Sequence, residues 1–416
     1  MGRKNKFRQA FRRTAAVTGI ALFTVLGTAG FYRSALPDRF TVARGEELSV
    51  STYPGIKARP CEKNYTVALT EFSGRASGSS ESTLMLFGAV PIKDVAASSE
   101  QRPVLVPCGE TFGIKLLTRG VMVVDLTSVG GRCPARECGI VPGDIIVSVC
   151  GKNIRSNSDI SEIISSSGGG PCPVELSRNG TSLTLDLQPV LYEGSYKAGM
   201  WVRDSSAGIG TLTFYDPATK AFGGLGHPVC DSDTREMLPL SKGAVGDIRI
   251  TGLMPSEKGC PGQLVGEFEG EDLRGEISLN CEDGLFGTLD CPPSSREPVE
   301  LSYRQELSRG PAVMISSIDG GEPEEYSVMI ESIDLRENAE HDLIVRVTDE
   351  RLLDSAGGIV QGMSGSPILQ NGRLAGALTH VFIDDPSRGY GIFADRMVKN
   401  IGLEHIRCSG FPAGFP

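Results

Sequence analysis

The chain is 416 residues long with a formal net charge of -10, and 52 glycines and 25 prolines punctuate it. One core would be outsized at that length, so two or three domains of short strands and turns are expected rather than one helical body. An acidic chain without an aromatic-laced basic groove excludes broad nucleic-acid binding, which draws much of its strength from phosphate contacts.

The one clear basic cluster, MGRKNKFRQAFRR, fills residues 1–13 and predicts a cytoplasmic tail. The apolar run TAAVTGIALFTVLGTAGFY over 14–32 approaches the length of a membrane-spanning helix. Positive charge ahead of it places the remainder outside the cytoplasmic membrane. A signal sequence reads alike, with Ala29 and Gly30 small enough for cleavage. Residues 33–100 predict a tether and a small β-rich module, from LSVSTY, YTVALTEF and TLMLFGAV. The stretch 33–60 reads as exposed, which makes it the expected place for self-cleavage.

Residues 101–190 form a better-defined unit. TFGIKLLTRG, GVMVVDLTSVG, GDIIVSVCGKNI and PCPVELSRNGTSLTLDL read as short strands. SNSDISEIISSS reads as a helix, with Ile160, Ile163 and Ile164 about one turn apart and Asn157 or Ser158 as its cap. CGIVPGDIIVSVCGKNI closely resembles the central motif of a PDZ domain. That resemblance implies a peptide-binding loop near Thr111, Phe112, Gly113 and Ile114, whose N–H groups would grip a peptide terminus beside a strand edge.

Residues 191–408 carry many further strand candidates, among them GTLTFYD, GDIRITGL, PAVMISSI, EYSVMIESI and LIVRVT. They suit a closed or nearly closed antiparallel fold, with 409–416 left as a C-terminal tail. Eleven cysteines, an odd number, are scattered from Cys61 to Cys408. Export would permit disulfides, and Cys281 with Cys291 would close a loop, but free thiols fit equally. The four histidines stand apart from any compact cysteine pair, including Cys133 and Cys138, so a zinc site has little support.

The chemistry concentrates in GGIVQGMSGSPILQNGRLAGALTH. Ser364 lies in a tight glycine-bounded turn, and Gly362 and Gly365 let the backbone approach a substrate carbonyl closely. A hydroxyl becomes a useful nucleophile only with a base in reach and N–H groups aimed at the oxyanion. Ser366 is its close rival. The frame GMSGSP resembles the GxSGxP pattern of chymotrypsin-like peptidases, which favours Ser364 and implies an oxyanion hole from the N–H groups of Gly362 and Ser364. Histidine titrates near neutrality without large perturbation and is the expected base. His227, in the glycine-lined FGGLGHPVCD, is the leading candidate. His380 ends an apolar strand near the serine, and His341 and His405 sit in polar or terminal contexts. A buried carboxylate should orient the imidazole. Asp349 is the candidate, with Asp342, Asp354, Asp231 and Asp233 as rivals. The order His227, Asp349, Ser364 matches the chymotrypsin-like order, although fifteen residues from aspartate to serine is a short gap for it.

Nearly the whole chain resembles the stage IV sporulation protein B peptidases of endospore-forming bacteria. WVRDSSAGIGTLTFYDP, GGLGHP, GGIVQGMSGSPI, and GALTHVF with GYGIF carry the likeness. It implies a mainly β architecture: an N-terminal membrane helix, a small β-rich module, a PDZ-like domain and a chymotrypsin-like antiparallel β-barrel peptidase domain. It implies His227, Asp349 and Ser364 as catalytic residues and no metal or organic cofactor. The implied setting is the space between mother-cell and forespore membranes. There the enzyme would process itself and cleave a regulatory membrane protein of an intramembrane metalloprotease complex, which activates a late sigma factor. The PDZ-like region would bind substrate, partner or another copy's N-terminal region. The alternative is a membrane-tethered PDZ signalling scaffold with an inactive peptidase-like domain. Nucleotide binding is excluded by the lack of a GxxxxGK[ST] pattern.

Overall fold

The computed structural model describes residues 2–60, 66–68, 77–293, 296–337 and 339–401. A single helix, Gly2–Ala35, leads the chain, and its stretch Arg13–Ala35 is long and apolar enough to cross a membrane. At 1.5 Å per residue that stretch reaches roughly the ~30 Å of a bilayer's hydrocarbon core.

The strands Arg39–Ala43, Ile56–Pro60, Ser77–Leu86 and Val90–Glu100 form a small sheet, with Thr66–Ala68 added at one side. The preceding stretch 33–60 is not the exposed tether expected of it. Phe40, Val50, Tyr53 and Ile56 are buried in one cluster with Met314, Tyr326 and Val328 of a distant barrel. Thr52 Oγ1 donates to Leu307 O at 2.9 Å, tying the module down. Alternating short runs signal strands but not the surface they will cover, which is why a docked module read as a tether.

Two closed barrels follow. The first is a ring of Thr111–Leu126, Leu240–Met254, Gln263–Cys281, Gly284–Leu289, Ala221–Gly224 and Met200–Tyr215. It closes where Gly113 and Ile114 pair with Ile209 and Gly208. The alternation of Phe112, Ile114 and Leu116 sends all three side chains inward against Leu212, Phe222 and Val245. Burying each such side chain contributes about 1.5–3 kcal/mol. The second barrel is a ring of Gly310–Ser316, Glu324–Ile333, Leu343–Val347, Arg388–Phe393, Arg373–Val381 and Pro367–Gln370.

The PDZ-like module is an insertion in the first barrel rather than a unit ahead of it. Strand Thr111–Leu126 leaves the barrel and continues into the module, where Val121 and Met122 pair with Ile146 and Ile145. The chain returns along Met200–Tyr215, whose first residues pair with Met122–Leu126. The module's own core is Val121, Val123, Ile140, Ile146, Ile160 and Val174 with their neighbours. Asp144, from the PGD turn, is fully buried and takes both Arg178 nitrogens at 2.7 Å. The helix Asn157–Ser166 is capped one residue earlier than expected. Ser156 and Asp159 form a reciprocal capping box, which places Asn157 inside the helix.

The boundaries 101–190 and 191–408 therefore differ from the observed ones. The peptidase portion already includes Val104–Pro107 and the first half of Thr111–Leu126, with the PDZ-like module interposed. Thr111, Phe112, Gly113 and Ile114 are the first four residues of a barrel strand, not a peptide-binding loop. A period of two reads the same in a PDZ hairpin and in a barrel strand, so the partner was not legible.

Candidate active site

A cleft of about 720 Å³ lies between the barrels, and His227 and Ser364 both line it. His227 follows the first barrel's strand Ala221–Gly224, and Ser364 precedes the second barrel's strand Pro367–Gln370.

The serine turn is built by one barrel and held by the other. Gly362 and Gly365 have φ of +104° and +100°, where a side chain is strained. A Cβ on Gly365 would also stand 1.9 Å from Thr211 O. Thr211 N donates to Ser364 O at 2.9 Å and Thr211 Oγ1 to Gly362 O at 2.7 Å. Thr213 Oγ1 donates to Gly365 O at 2.7 Å. With these carbonyls anchored on the first barrel, the N–H groups of Gly362 and Ser364 meet no protein acceptor among the described residues. Thr211 and Thr213 went unnoticed in the sequence. Their signal is a pair of hydroxyls at i and i+2 on one face of an apolar strand.

Ser364 Oγ donates to Thr379 O at 2.6 Å, so the hydroxyl rests on its own barrel. Ser366 is fully buried and bonds Met363 O and Ser316 Oγ, which turns it away from the cleft.

His227 Nδ1 lies 2.9 Å from Pro228 O. A carbonyl only accepts, so this contact assigns the proton to Nδ1 and leaves the Nε2 lone pair as the base. Burial pulls the imidazole below its ordinary pKa, and the Pro228 carbonyl partly opposes this. The loop after His227 is fixed by buried Asn280, another residue the sequence did not flag. Its amide accepts from Val229 N at 2.8 Å and donates to Val229 O and Leu238 O at 2.9 Å each. His380 lies beside His227, ring centroids 4.4 Å apart. His380 is exposed overall, yet burial and then repulsion from His227 and His341 lower its pKa to about 4.

The expected orienter is elsewhere. Asp349 is the N-cap of helix Glu350–Ala356 and accepts from Arg351 N and Ser327 N at 3.1 Å each. Arg351's guanidinium holds its carboxyl below the usual range. The segment TDERLLDSAG carries a helix-start signal, and capping is what that aspartate does here. Its rivals are also engaged or remote. Asp231 pairs with Arg203 and accepts from Asp233 N and Thr234 N, and Asp233 pairs with Arg203 as well. Asp342 accepts from Phe393 N, and Asp354 is exposed on the helix that Asp349 caps. Among the described residues no carboxylate touches His227. His341 stacks on Tyr390 at 3.5 Å, and His405 lies outside the described residues.

Cys291 is a free thiol, so the loop closure expected of Cys281 with Cys291 is not formed, and among the described residues no group of three or more potential ligands is placed to hold a metal. Cys61 and Cys408 lie outside the described residues.

Paired β-barrels with an imidazole from one and a glycine-bounded serine from the other, facing a shared cleft, define a double-barrel serine peptidase. The chain matches the SpoIVB peptidase S55 family over residues 194–398, and it contains a PDZ domain matched over 126–178. It is thus a proteolytic enzyme of a sporulation-type pathway. No curated protein matches the chain. Among solved structures it is similar to the PDZ domain of an SdrC-like protein from Listeria monocytogenes, at 21% identity over 21% of this chain and 90% of that one, with a TM-score of 0.18. It is also similar to the Rv3671c protease of M. tuberculosis. The active form aligns at 14% identity over 47% of this chain and 75% of that one, TM-score 0.27. The inactive form aligns at 14% over 47% and 84%, TM-score 0.25.

Proposed function

We propose that the chain is a membrane-tethered serine endopeptidase that works outside the cytoplasmic membrane with a Ser364–His227 pair. The observation that carries this reading is the meeting of both side chains at one cleft, with the Gly362 and Ser364 N–H groups unengaged beside them. Rotation about the Ser364 side-chain bond takes Oγ from Thr379 O toward His227 Nε2. His227 accepts the proton as Oγ attacks the peptide carbonyl, and the two N–H groups hold the oxyanion. The imidazolium then protonates the departing amine, and water releases the acyl-enzyme. In place of a carboxylate, the Pro228 carbonyl sets the tautomer, and Asp349 serves as a helix cap.

The substrates in this reading are the chain's own N-terminal region and a regulatory membrane protein of an intramembrane metalloprotease complex, met between mother-cell and forespore membranes. Peptide capture falls to a groove of about 350 Å³ between helix Asn157–Ser166 and residues Gly199–Val202 rather than to Thr111–Ile114. Ile160 and Ile164 supply its apolar wall. In this groove a peptide strand would lie beside the start of Met200–Tyr215, the usual mode of strand addition.

A fluorophosphonate, followed by mass spectrometry of the labelled peptide, tests the reading. Label on Ser364, lost in Ser364→Ala together with self-processing, is the expected result. Processing that survives in Ser364→Ala would refute the nucleophile.

A further inference from the structure

The cleft is chemically lopsided, and the direction of the reaction gives that asymmetry a meaning. His227 must hand its proton to the leaving amine, so the half of the substrate that departs lies on the His227 side. The acyl half, with the residue just before the scissile bond, lies on the far side. That side consists of the chain leading into the oxyanion turn and the chain following Thr379. The ionisable groups in the loop after His227, Cys230, Asp231 and Arg235, line the leaving side.

The acyl side has a different composition. Val360 and Ile359 are buried at its floor, at 1% and 2% exposure. Val381 and Ile383 form one wall, and Pro261 forms the other. None of these five carries a charge. The flanking polar groups are Gln361, Thr379 and His380, and with its pKa lowered to about 4 the His380 imidazole is uncharged near neutral pH. Asp385 is turned away to Ser387, and Asp384 does not line the cleft.

The shape is fixed as well as apolar. The hairpin tip between Leu240–Met254 and Gln263–Cys281 crosses from the first barrel and bonds this wall. Gly259 N donates to Ile383 O at 2.8 Å, and Gln361 N donates to Gly262 O at 2.8 Å. Buried Ser256 donates to Ile359 O at 2.6 Å and accepts from Gly262 N at 2.7 Å. Ile383 is nevertheless 61% exposed, a large aliphatic side chain left open at the rim of a preformed apolar recess. A charged residue placed there would lose hydration and find no counter-charge among the lining groups. An aliphatic one would cover Ile383.

We propose that this recess is the specificity subsite for the residue preceding the scissile bond, and that it selects medium-sized aliphatic side chains such as valine, leucine, isoleucine or methionine. This rests on the peptidase reading above and narrows it to a substrate class.

Peptidyl diphenyl phosphonates that differ only in that residue test it, applied to the full chain in detergent. Ser364 attacks phosphorus, a phenolate leaves with the proton held by His227, and the rate of Ser364 labelling reports the fit. Aliphatic members should label about ten- to a hundredfold faster than lysine or aspartate members, the range a shaped apolar pocket delivers. Ile383→Glu alters an exposed side chain and leaves the fold intact. It should slow the leucine reagent about tenfold and speed the lysine reagent, because it supplies the missing counter-charge. Equal or faster labelling by charged members would overturn the proposal, as would an Ile383→Glu profile identical to the parent's. The untargeted fluorophosphonate separates the two levels. If it labels Ser364 while the aliphatic preference is missing, only the subsite assignment falls. If it does not label Ser364, the peptidase reading falls and takes the subsite with it.

Discussion

Each cleft histidine carries its own pH signature. Desolvation holds His227 below the ordinary imidazole value, so the neutral base persists into mild acid. The acid limb of kcat/KM should therefore fall below about 6.5, the free-imidazole value, and a limb at or above it would contradict a buried base. His380 acts on stability. Its folded-state pKa is about 4, so between 6.5 and 4 the unfolded chain takes up a proton that the folded chain refuses. The contribution is fully present above 6.5 and is lost as the pH falls toward 4. His380→Asn should flatten the decline in thermal midpoint over that interval. Asp349→Asn separates two roles sharply. Asparagine caps a helix about as well as aspartate, so kcat should stay close to the parent's. A catalytic orienter changed in the same way would lose about 10⁴ in kcat. The glycine-rich turns that bring Ser364 and His227 to one cleft were legible, because glycines announce a tight turn. The group on the far side of the imidazole was not, because a backbone carbonyl has no residue type to betray it.

At the scale of elements, the sequence disclosed strands better than their partners. The alternation in TFGIKLL and GTLTFYD predicts strands, and both segments are strands, 111–126 and 200–215. Their lateral pairing depends on contacts a hundred residues away, and so Thr111–Ile114 was misplaced in a loop. Thr213 shows what that pairing does. Thr213→Val keeps the shape but leaves the buried Gly365 carbonyl without its donor, a loss of about 1–3 kcal/mol. The serine turn should loosen with it. Chemical denaturation together with the fluorophosphonate labelling rate should report both effects, and a variant as stable and reactive as the parent would refute this role. Ser156→Ala removes one half of the capping box of Asn157–Ser166 and should cost about 1 kcal/mol. Because that helix walls the peptide groove, its peptide affinity should weaken while hydrolysis of short peptides stays unchanged.

For the whole molecule, length predicted two or three domains, whereas the fold has a small sheet module, a PDZ-like module and two barrels, nested rather than in series. The PDZ domain interrupts a barrel, and the N-terminal module shares a hydrophobic cluster with the other one. Insertions of this kind are invisible to a linear reading, since each piece looks like an ordinary run of strands until its hydrogen-bond partners are known. The apolar run 14–32 was legible from its composition and length, and it falls within the helical stretch Arg13–Ala35. Expressed whole, the protein should sediment with membranes and be released once that stretch is removed.

The turn that bears Ser364 is covalently part of one lobe, while its carbonyls are fastened to Thr211 and Thr213 of the other. Prising the lobes apart would thus disarm the enzyme long before either melts. Hydrolytic competence becomes a gauge of how tightly the halves are clasped, and dilute denaturant should extinguish it while the β-sheet signal is still intact.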